Sequence, residues 1–355
     1  MFVNNNIMLI LAVSLILTFV STPFAKMIAE KVGAIDVPKD GRRMHKKPVP
    51  RMGGLAMFYG FLVSVLVFIP IEPQMLGMLA GSLIIVALGV IDDRKALSAK
   101  PKFIVQILSA CIPVLCGLSI KFITLPFIGR INIASPYSQI ISVFWIVAIT
   151  NAMNLIDGLD GLAAGVASIA SLSILFISII MGNFEAAMIS AALVGCCVGF
   201  LPFNSNPAKI FMGDTGATFL GYMLGCISIQ GAFKSYALIS FVIPVIALGL
   251  PIFDTAFAII RRIMKHKPIM SADRGHLHHR LIDIGFNQKQ TVIILYSAST
   301  LLGLSAVVMA ARGLLKGLLL IAAIIPVAVG AVAFINIREH EIHEAKEEEE
   351  NNTQS

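Results

Sequence analysis

Charge is what this 355-residue chain lacks. Only 13% of its residues are Asp, Glu, Lys or Arg, about half the share of an average soluble domain. Hydrophobic residues make up 57%, and mean hydropathy is +0.88. A water-soluble fold of this size cannot hide that much apolar surface, so the composition excludes one. Cysteine offers no other scaffold: Cys111, Cys116, Cys196, Cys197 and Cys226 sit in apolar runs without a CxxC pair, which indicates neither a disulfide framework nor a zinc site. The N-terminus, MFVNNN, lacks the basic region of a signal peptide, and the apolar run behind it is too long for one. It reads as a retained first helix. What remains is a polytopic membrane protein: enzyme, transporter, channel or receptor.

Runs of 17–25 mostly apolar residues suffice to cross the hydrocarbon core. Eleven occur, at about 7–28, 53–71, 75–91, 103–119, 139–155, 161–181, 186–203, 215–233, 236–262, 290–311 and 315–336. The chain is therefore expected to be an all-α polytopic membrane protein of about eleven transmembrane helices. Residues 1–336 are expected to form a single transmembrane domain, and 337–355 an acidic, disordered cytosolic tail. With the N-terminus outside, 22 of the 27 Lys and Arg fall in inside segments, as the positive-inside rule requires. All ten Asp share that side. The outside segment 120–138 reads as a short hairpin or interfacial turn.

Five inside segments hold nearly all the ionisable groups. Asp92-Asp93 follows the third span; such a pair binds a divalent cation, or is a solvated helix cap balanced by Arg94 and Lys95. NAMNLIDGLDG (151–161) joins spans five and six with almost no loop. Its Asn154, Asp157 and Asp160 are three apart and share one face of a helical turn. A Ca²⁺ loop lacks its downstream Glu. A double N-cap is the plainer alternative, but three oxygen-bearing side chains between apolar helices are costly near lipid, which favours a functional site. NSNPAKIFMGDTG (204–216) opens span eight, where Asp214 or Thr215 caps the helix or meets a metal-bound phosphate. Arg274-Gly-His276-Leu-His278-His279-Arg280 has no partner motif for zinc and suits an anion, or an amphipathic stretch on anionic lipid. DGRRMHKKPVPRMGG (40–54), stiffened by Pro48 and Pro50, sets topology by default, with attraction of a nucleotide as the alternative. Asp254 lies within an apolar helix, seven residues before Arg261; it faces the same cleft or makes a helix–helix hydrogen bond.

These groups converge on one side of the spans. Acids with Asn suggest Mg²⁺, and Arg with His suggests phosphate. The expected chemistry is metal-dependent phosphoryl transfer between a cytosolic nucleotide-like donor and a lipid, in a cleft at the cytosolic face. A secondary transporter, the competing class, would place its ionisable groups near the bilayer midplane in two repeats.

Asp92-Asp93, NAMNLIDGLDGLAAG (151–165), FNSNPAKIFMGDTGATFLGY (203–222), PIFDT (251–255) and RGHLHHRL (274–281) together resemble the polyprenyl-phosphate N-acetylhexosamine-1-phosphate transferase family, over about residues 36–285. The sequence is more similar to the bacterial branch that starts teichoic acid, O-antigen and enterobacterial common antigen chains. Leu277 interrupts the His triplet usual in the phospho-MurNAc-pentapeptide transferases. The resemblance implies a glycosyl-1-phosphate transferase of the bacterial inner or plasma membrane. It would pass GlcNAc-1-phosphate, or another HexNAc-1-phosphate, from a UDP-sugar to undecaprenyl phosphate and release UMP. It implies Mg²⁺, with Mn²⁺ as a substitute, held by Asn154 and Asp214. Asp92 and Asp93 match the catalytic acidic pair near the acceptor phosphate, Asp92 as base or as orienting group. Lys102, or Lys100 in its place, matches a basic position downstream. Asp157, Asp160 and Asn204 match nucleotide-side positions; Arg274, His276, His278 and His279 match the loop that grips the pyrophosphate and sugar. The partners implied are the sugar nucleotide, the lipid phosphate and the bilayer, with no nucleic acid; a homodimer is compatible.

Overall fold

Lipid offers backbone groups no hydrogen-bond partner, so an apolar chain of this kind must satisfy its own bonds as helices. The computed structural model describes residues 2–38, 48–125, 129–231, 242–266 and 275–313, with 315–317, 319–320 and 322–323. Most of the expected span 315–336, and the acidic tail 337–355, lie outside the described residues.

The first helix, α1 (Phe2–Val32), leads into a two-residue antiparallel ladder of β1 (Ile35–Asp36) with β2 (Val49–Pro50). Then come α2 (Gly54–Phe68), α3 (Pro73–Arg94) and α4 (Ala99–Leu115). A hairpin follows, β3 (Phe122–Leu125) pairing with β4 (Gly129–Asn132), where the sequence led to one. Next are α5 (Tyr137–Ile156), α6 (Leu162–Ile180), α7 (Phe184–Asn204) and α8 (Gly213–Gly231). The last described elements are α9 (Val242–Ala247), α10 (Gly249–Met264), α11 (Leu277–Asp283) and α12 (Gln288–Arg312).

Over its described residues, every expected span up to residue 311 coincides with a helix, the 236–262 span with α9 and α10 meeting at Leu248. Six described helices (α1, α3, α5, α6, α7 and α12) are long and apolar enough to cross a membrane, and α2 is a shorter apolar helix. The chain is thus a multi-pass helical membrane protein. Of the other described helices, α2, α4, α9, α10 and α11 are too short to meet both criteria, whereas α8 is long enough and falls short on hydropathy for a reason that its burial shows. Every residue of α8 except Asp214 is buried. A helix wrapped by other helices has no lipid face and needs small residues for close packing more than it needs hydropathy. A Cβ on Gly54 of α2 would lie 2.1 Å from the Gly216 nitrogen, and one on Gly89 of α3 would lie 2.4 Å from the Thr215 Cα. Backbone meets backbone at both points, so α8 is gripped at the end that carries Asp214.

The α10 helix shows the environment from the other side. Its exposed residues are Phe253, Phe257, Ile260, Ile263 and Met264, whereas Asp254 and Arg262 are buried. That is the reverse of a soluble amphipathic helix and fits a helix with lipid on one side and a polar cleft on the other.

Candidate active site

The C-terminal ends of α3, α5 and α7 meet the N-terminal ends of α4, α6 and α8. Helix ends carry unsatisfied backbone groups and partial charges, so polar side chains collect there.

Asp92 and Asp93 end α3, but consecutive helical residues point about 100° apart, and the two part ways. Asp93 is buried and turns to α8. Its Oδ1 accepts the Asp214 N–H at 2.9 Å. Its Oδ2 accepts the Thr215 N–H at 3.1 Å and the Thr215 hydroxyl at 2.6 Å. A carboxylate from one helix thereby caps the next, matched to the positive end of the α8 dipole. Gly213 makes this approach feasible: its φ is +69°, and a Cβ there would lie 2.2 Å from Asp93 Oδ2.

Asp92 turns to α4. Its Oδ1 accepts the Leu97 N–H at 2.6 Å, and its Oδ2 accepts from Lys102 Nζ at 2.7 Å. Lys102 also donates to Asp214 Oδ2. The other Asp214 oxygen faces Arg51, whose Nη2 is 3.7 Å away, while Arg51 Nε is 3.3 Å from Asp93 Oδ1. Arg51 arrives from the first loop through a strap. Phe211 N–H donates to Pro50 O at 2.8 Å, and Gly53 N–H donates to Phe211 O at 2.9 Å. Burial disfavours the charge of Arg51, but Asp93 and Asp214 outweigh it and hold the guanidinium above its ordinary value.

Asp157 stands at the α5–α6 junction. Enclosure by protein, and then the field of Asp214, push its carboxyl up to about 7. Neither its carboxylate nor the Asn154 amide has a hydrogen-bond partner among the described residues. No three His, Cys, Asp or Glu side chains surround one point at metal-ligand spacing among the described residues. The donors available, Asp214, Asp157 and Asn154, are all oxygen. One or two carboxylates with room for substrate phosphates is the set Mg²⁺ takes.

The His segment reaches this cluster at Gly158. A Cβ there would lie 2.2 Å from His278 Nε2, so the imidazole rests on the residue next to Asp157. His278 is buried, and both its ring nitrogens lack a hydrogen-bond partner among the described residues. Burial, and then His279, push it down to about 3, so it is neutral at physiological pH. A neutral imidazole has one donor and one acceptor to offer a ligand. His276 is fixed differently. Its Nδ1 lies 2.9 Å from Asp254 Oδ2, and Asp254 Oδ1 accepts the Leu277 N–H at 2.8 Å. With the proton on Nδ1, the His276 Nε2 is left as an acceptor.

Residues 75–232 match a family profile described as glycosyl transferase family 4. A Bacillus subtilis (strain 168) protein named probable undecaprenyl-phosphate N-acetylglucosaminyl 1-phosphate transferase is 42% identical over 298 residues, covering 84% of this chain and 83% of its own. The chain belongs to the polyprenyl-phosphate N-acetylhexosamine-1-phosphate transferase family. Similarity extends to a Mycolicibacterium smegmatis decaprenyl-phosphate N-acetylglucosaminephosphotransferase, 35% identical over 79% of this chain and 76% of its own. It also extends to an Escherichia coli (strain K12) undecaprenyl-phosphate alpha-N-acetylglucosaminyl 1-phosphate transferase, 26% identical over 79% and 77%.

In this family member, the structure gathers Asp92, Asp93, Lys102 and Asp214 into one ionic cluster. Asp157 lies within its field, and His276, His278 and His279 lie alongside. Arg274 lies outside the described residues. Asp160 and Asn204 spend their hydrogen bonds on the fold. Asp160 Oδ2 accepts from Asn206 Nδ2 and from the Ala208 N–H, both at 3.0 Å. Asn204 accepts the Gly161 N–H and donates to Ile210 O, both at 3.1 Å. Together they hold the 205–213 segment against the start of α6. Two residues join the site that the sequence did not single out for this work. Arg51 counted there as a topology charge, and its signal was the stiff PVPR run leading into Gly53-Gly54. Asp254 was open between cleft and helix contact, and is in fact the anchor of His276.

Proposed function

We propose that the protein transfers N-acetylglucosamine 1-phosphate from UDP-N-acetylglucosamine to undecaprenyl phosphate at the cytosolic face of the bacterial plasma membrane. The products are undecaprenyl-diphosphate-N-acetylglucosamine, which starts a cell-surface glycopolymer, and UMP. The observation that carries this reading is the Asp92–Lys102–Asp214–Arg51–Asp93 cluster at the ends of apolar helices. It sets anion-binding and cation-binding groups side by side where a lipid phosphate can arrive. The names of the relatives support undecaprenyl phosphate and N-acetylglucosamine 1-phosphate, the family resemblance supports the UDP carrier, and the one-sided Lys and Arg distribution supports the cytosolic side.

An acceptor phosphate oxygen attacks the β-phosphorus of the donor, the bond from that phosphorus to the bridging oxygen breaks, and UMP leaves with the oxygen. One phosphoanhydride replaces another, so no ATP is needed. Nucleophile and leaving group are both anionic oxygens, and the barrier is largely charge repulsion. Asp214 and Asn154, with Asp157 behind them, would hold Mg²⁺, which when bound supplies positive charge to the donor diphosphate. Lys102 and Arg51 draw the phosphates in, and His276, His278 and the Arg274 segment contact the diphosphate and sugar.

Asp92 acts here as an orienting group. Its two oxygens already accept from Leu97 and Lys102, and a phosphate monoester with its second pKa near 6 is largely dianionic without help. Asp92→Asn should therefore lose rate by about tenfold or more with no recovery up to pH 9.5. Full recovery at high pH would establish proton removal instead. Asp254→Asn should raise the KM for the sugar nucleotide about tenfold, because a charge-assisted anchor of His276 is lost. An unchanged KM would detach Asp254 from the donor site.

A panel of UDP-sugars with undecaprenyl phosphate, read as UMP release from detergent-purified protein, tests the proposal. UDP-N-acetylglucosamine should be used fastest and EDTA should stop the reaction. Preference for another sugar would move the donor assignment, and EDTA-resistant release would remove the metal.

A further inference from the structure

We propose that Lys102 is the exchangeable counter-ion of the site: its ammonium holds Asp214 until a divalent cation binds there, then leaves Asp214 and becomes free for the acceptor phosphate. This rests on the metal reading above. Both oxygens of Asp214 already face a cation, Oδ2 meeting Lys102 and Oδ1 facing Arg51. A metal ion joining that carboxylate would stand within a few ångströms of two positive charges, a repulsion that is strong in a partly buried site. One of the two must give way.

The structure distinguishes them. Arg51 is fixed at both ends. Its guanidinium is shared with buried Asp93, and its backbone is tied in by its N–H to Ala34 O at 2.9 Å and by the parallel bridge to Phe211. Lys102 sits on the first turn of α4, and among the described residues its side chain is held only through its ammonium. It is a compact charge on a flexible stem with three rotatable donors. It also has a second partner, Asp92 Oδ2 at 2.7 Å, so rotation about its terminal bonds releases Asp214 without stranding the charge. The exchange gives the two substrates an order. Donor with metal arrives first, and only then does the Asp92–Lys102 pair offer its freed N–H groups to the lipid phosphate. It also spares the empty site an uncompensated cluster of carboxylates.

Mn²⁺ binding to the full-length protein in detergent, followed by electron paramagnetic resonance, tests this together with amine acylation of Lys102 read by mass spectrometry. Lys102→Met should bind Mn²⁺ about tenfold more tightly than the wild type, because there is no internal cation to displace, and Lys102→Arg should not. In the wild-type protein, acylation of Lys102 should rise several-fold when Mn²⁺ is added. Mn²⁺ binding by the wild type with unchanged Lys102 acylation would overturn the exchange and leave the metal reading standing. Equal or weaker binding by Lys102→Met would do the same. No Mn²⁺ binding by either protein would overturn both. The acylation arm needs no variant, so poor folding of Lys102→Met cannot hide the answer.

Discussion

Asp214→Asn should lower the transfer rate about 10³-fold, the scale reached when a preorganised charge at a reacting phosphate is removed. The argument is electrostatic. Asp214 alone breaks the burial of α8, and among the described residues it alone pairs with both Lys102 and Arg51. The Asn side chain keeps the volume, and the backbone bond from Thr218 Oγ1 to the residue-214 carbonyl at 2.6 Å is untouched. The helix should therefore survive, with two cations left facing a neutral amide. Mn²⁺ affinity should fall with the rate. A variant that keeps a tenth of wild-type activity would exclude Asp214 from the reaction centre.

Asp93→Asn should fail in a different way. Asp93 is buried and accepts three hydrogen bonds, two from N-terminal amides of α8, while pairing with Arg51. An amide in its place aims its own N–H groups at donors and leaves Arg51 without its buried partner. Breaking a buried charged network of this sort costs about 3–5 kcal/mol, which should read as a Tm lower by roughly 10 °C. Asp92→Asn, one residue away, should lower Tm far less, since Asp92 supports no second helix. Equal losses for the two would return them to a single acidic pair. The comparison needs both rate and Tm, because loss of activity alone would look the same for each.

Much of the scaffold was legible because lipid makes local pattern nearly sufficient. Apolar runs marked the helices, and 120–138 read as a hairpin or an interfacial turn, of which the structure shows the hairpin. The run 215–233 marked α8 as well, but not that neighbouring helices would wrap it on every side. The site was legible as a set of residues, and less so as a set of partnerships. Asp92-Asp93 reads as one motif, yet a helix sends the two in different directions, and the partner of Asp93 lies 121 residues on. Arg51 was hidden among charges whose first duty is topology; what selects it is a strap to Phe211 that no local window contains. Asp254 and His276 are likewise a pair only across 22 residues and a change of helix. Asp160 was visible as a costly polar group and Asn204 through the resemblance, and the structure shows both spending hydrogen bonds around the 205–213 segment.

The central claim is that sugar and β-phosphate leave the donor together. UDP-N-acetylglucosamine labelled with ³²P in the β-phosphorus, incubated with undecaprenyl phosphate, Mg²⁺ and the purified protein, tests it most directly. The account predicts that the label enters the lipid phase and that the released nucleotide is unlabelled UMP. Labelled UDP in the aqueous phase would mean that the sugar alone is transferred, and would contradict it.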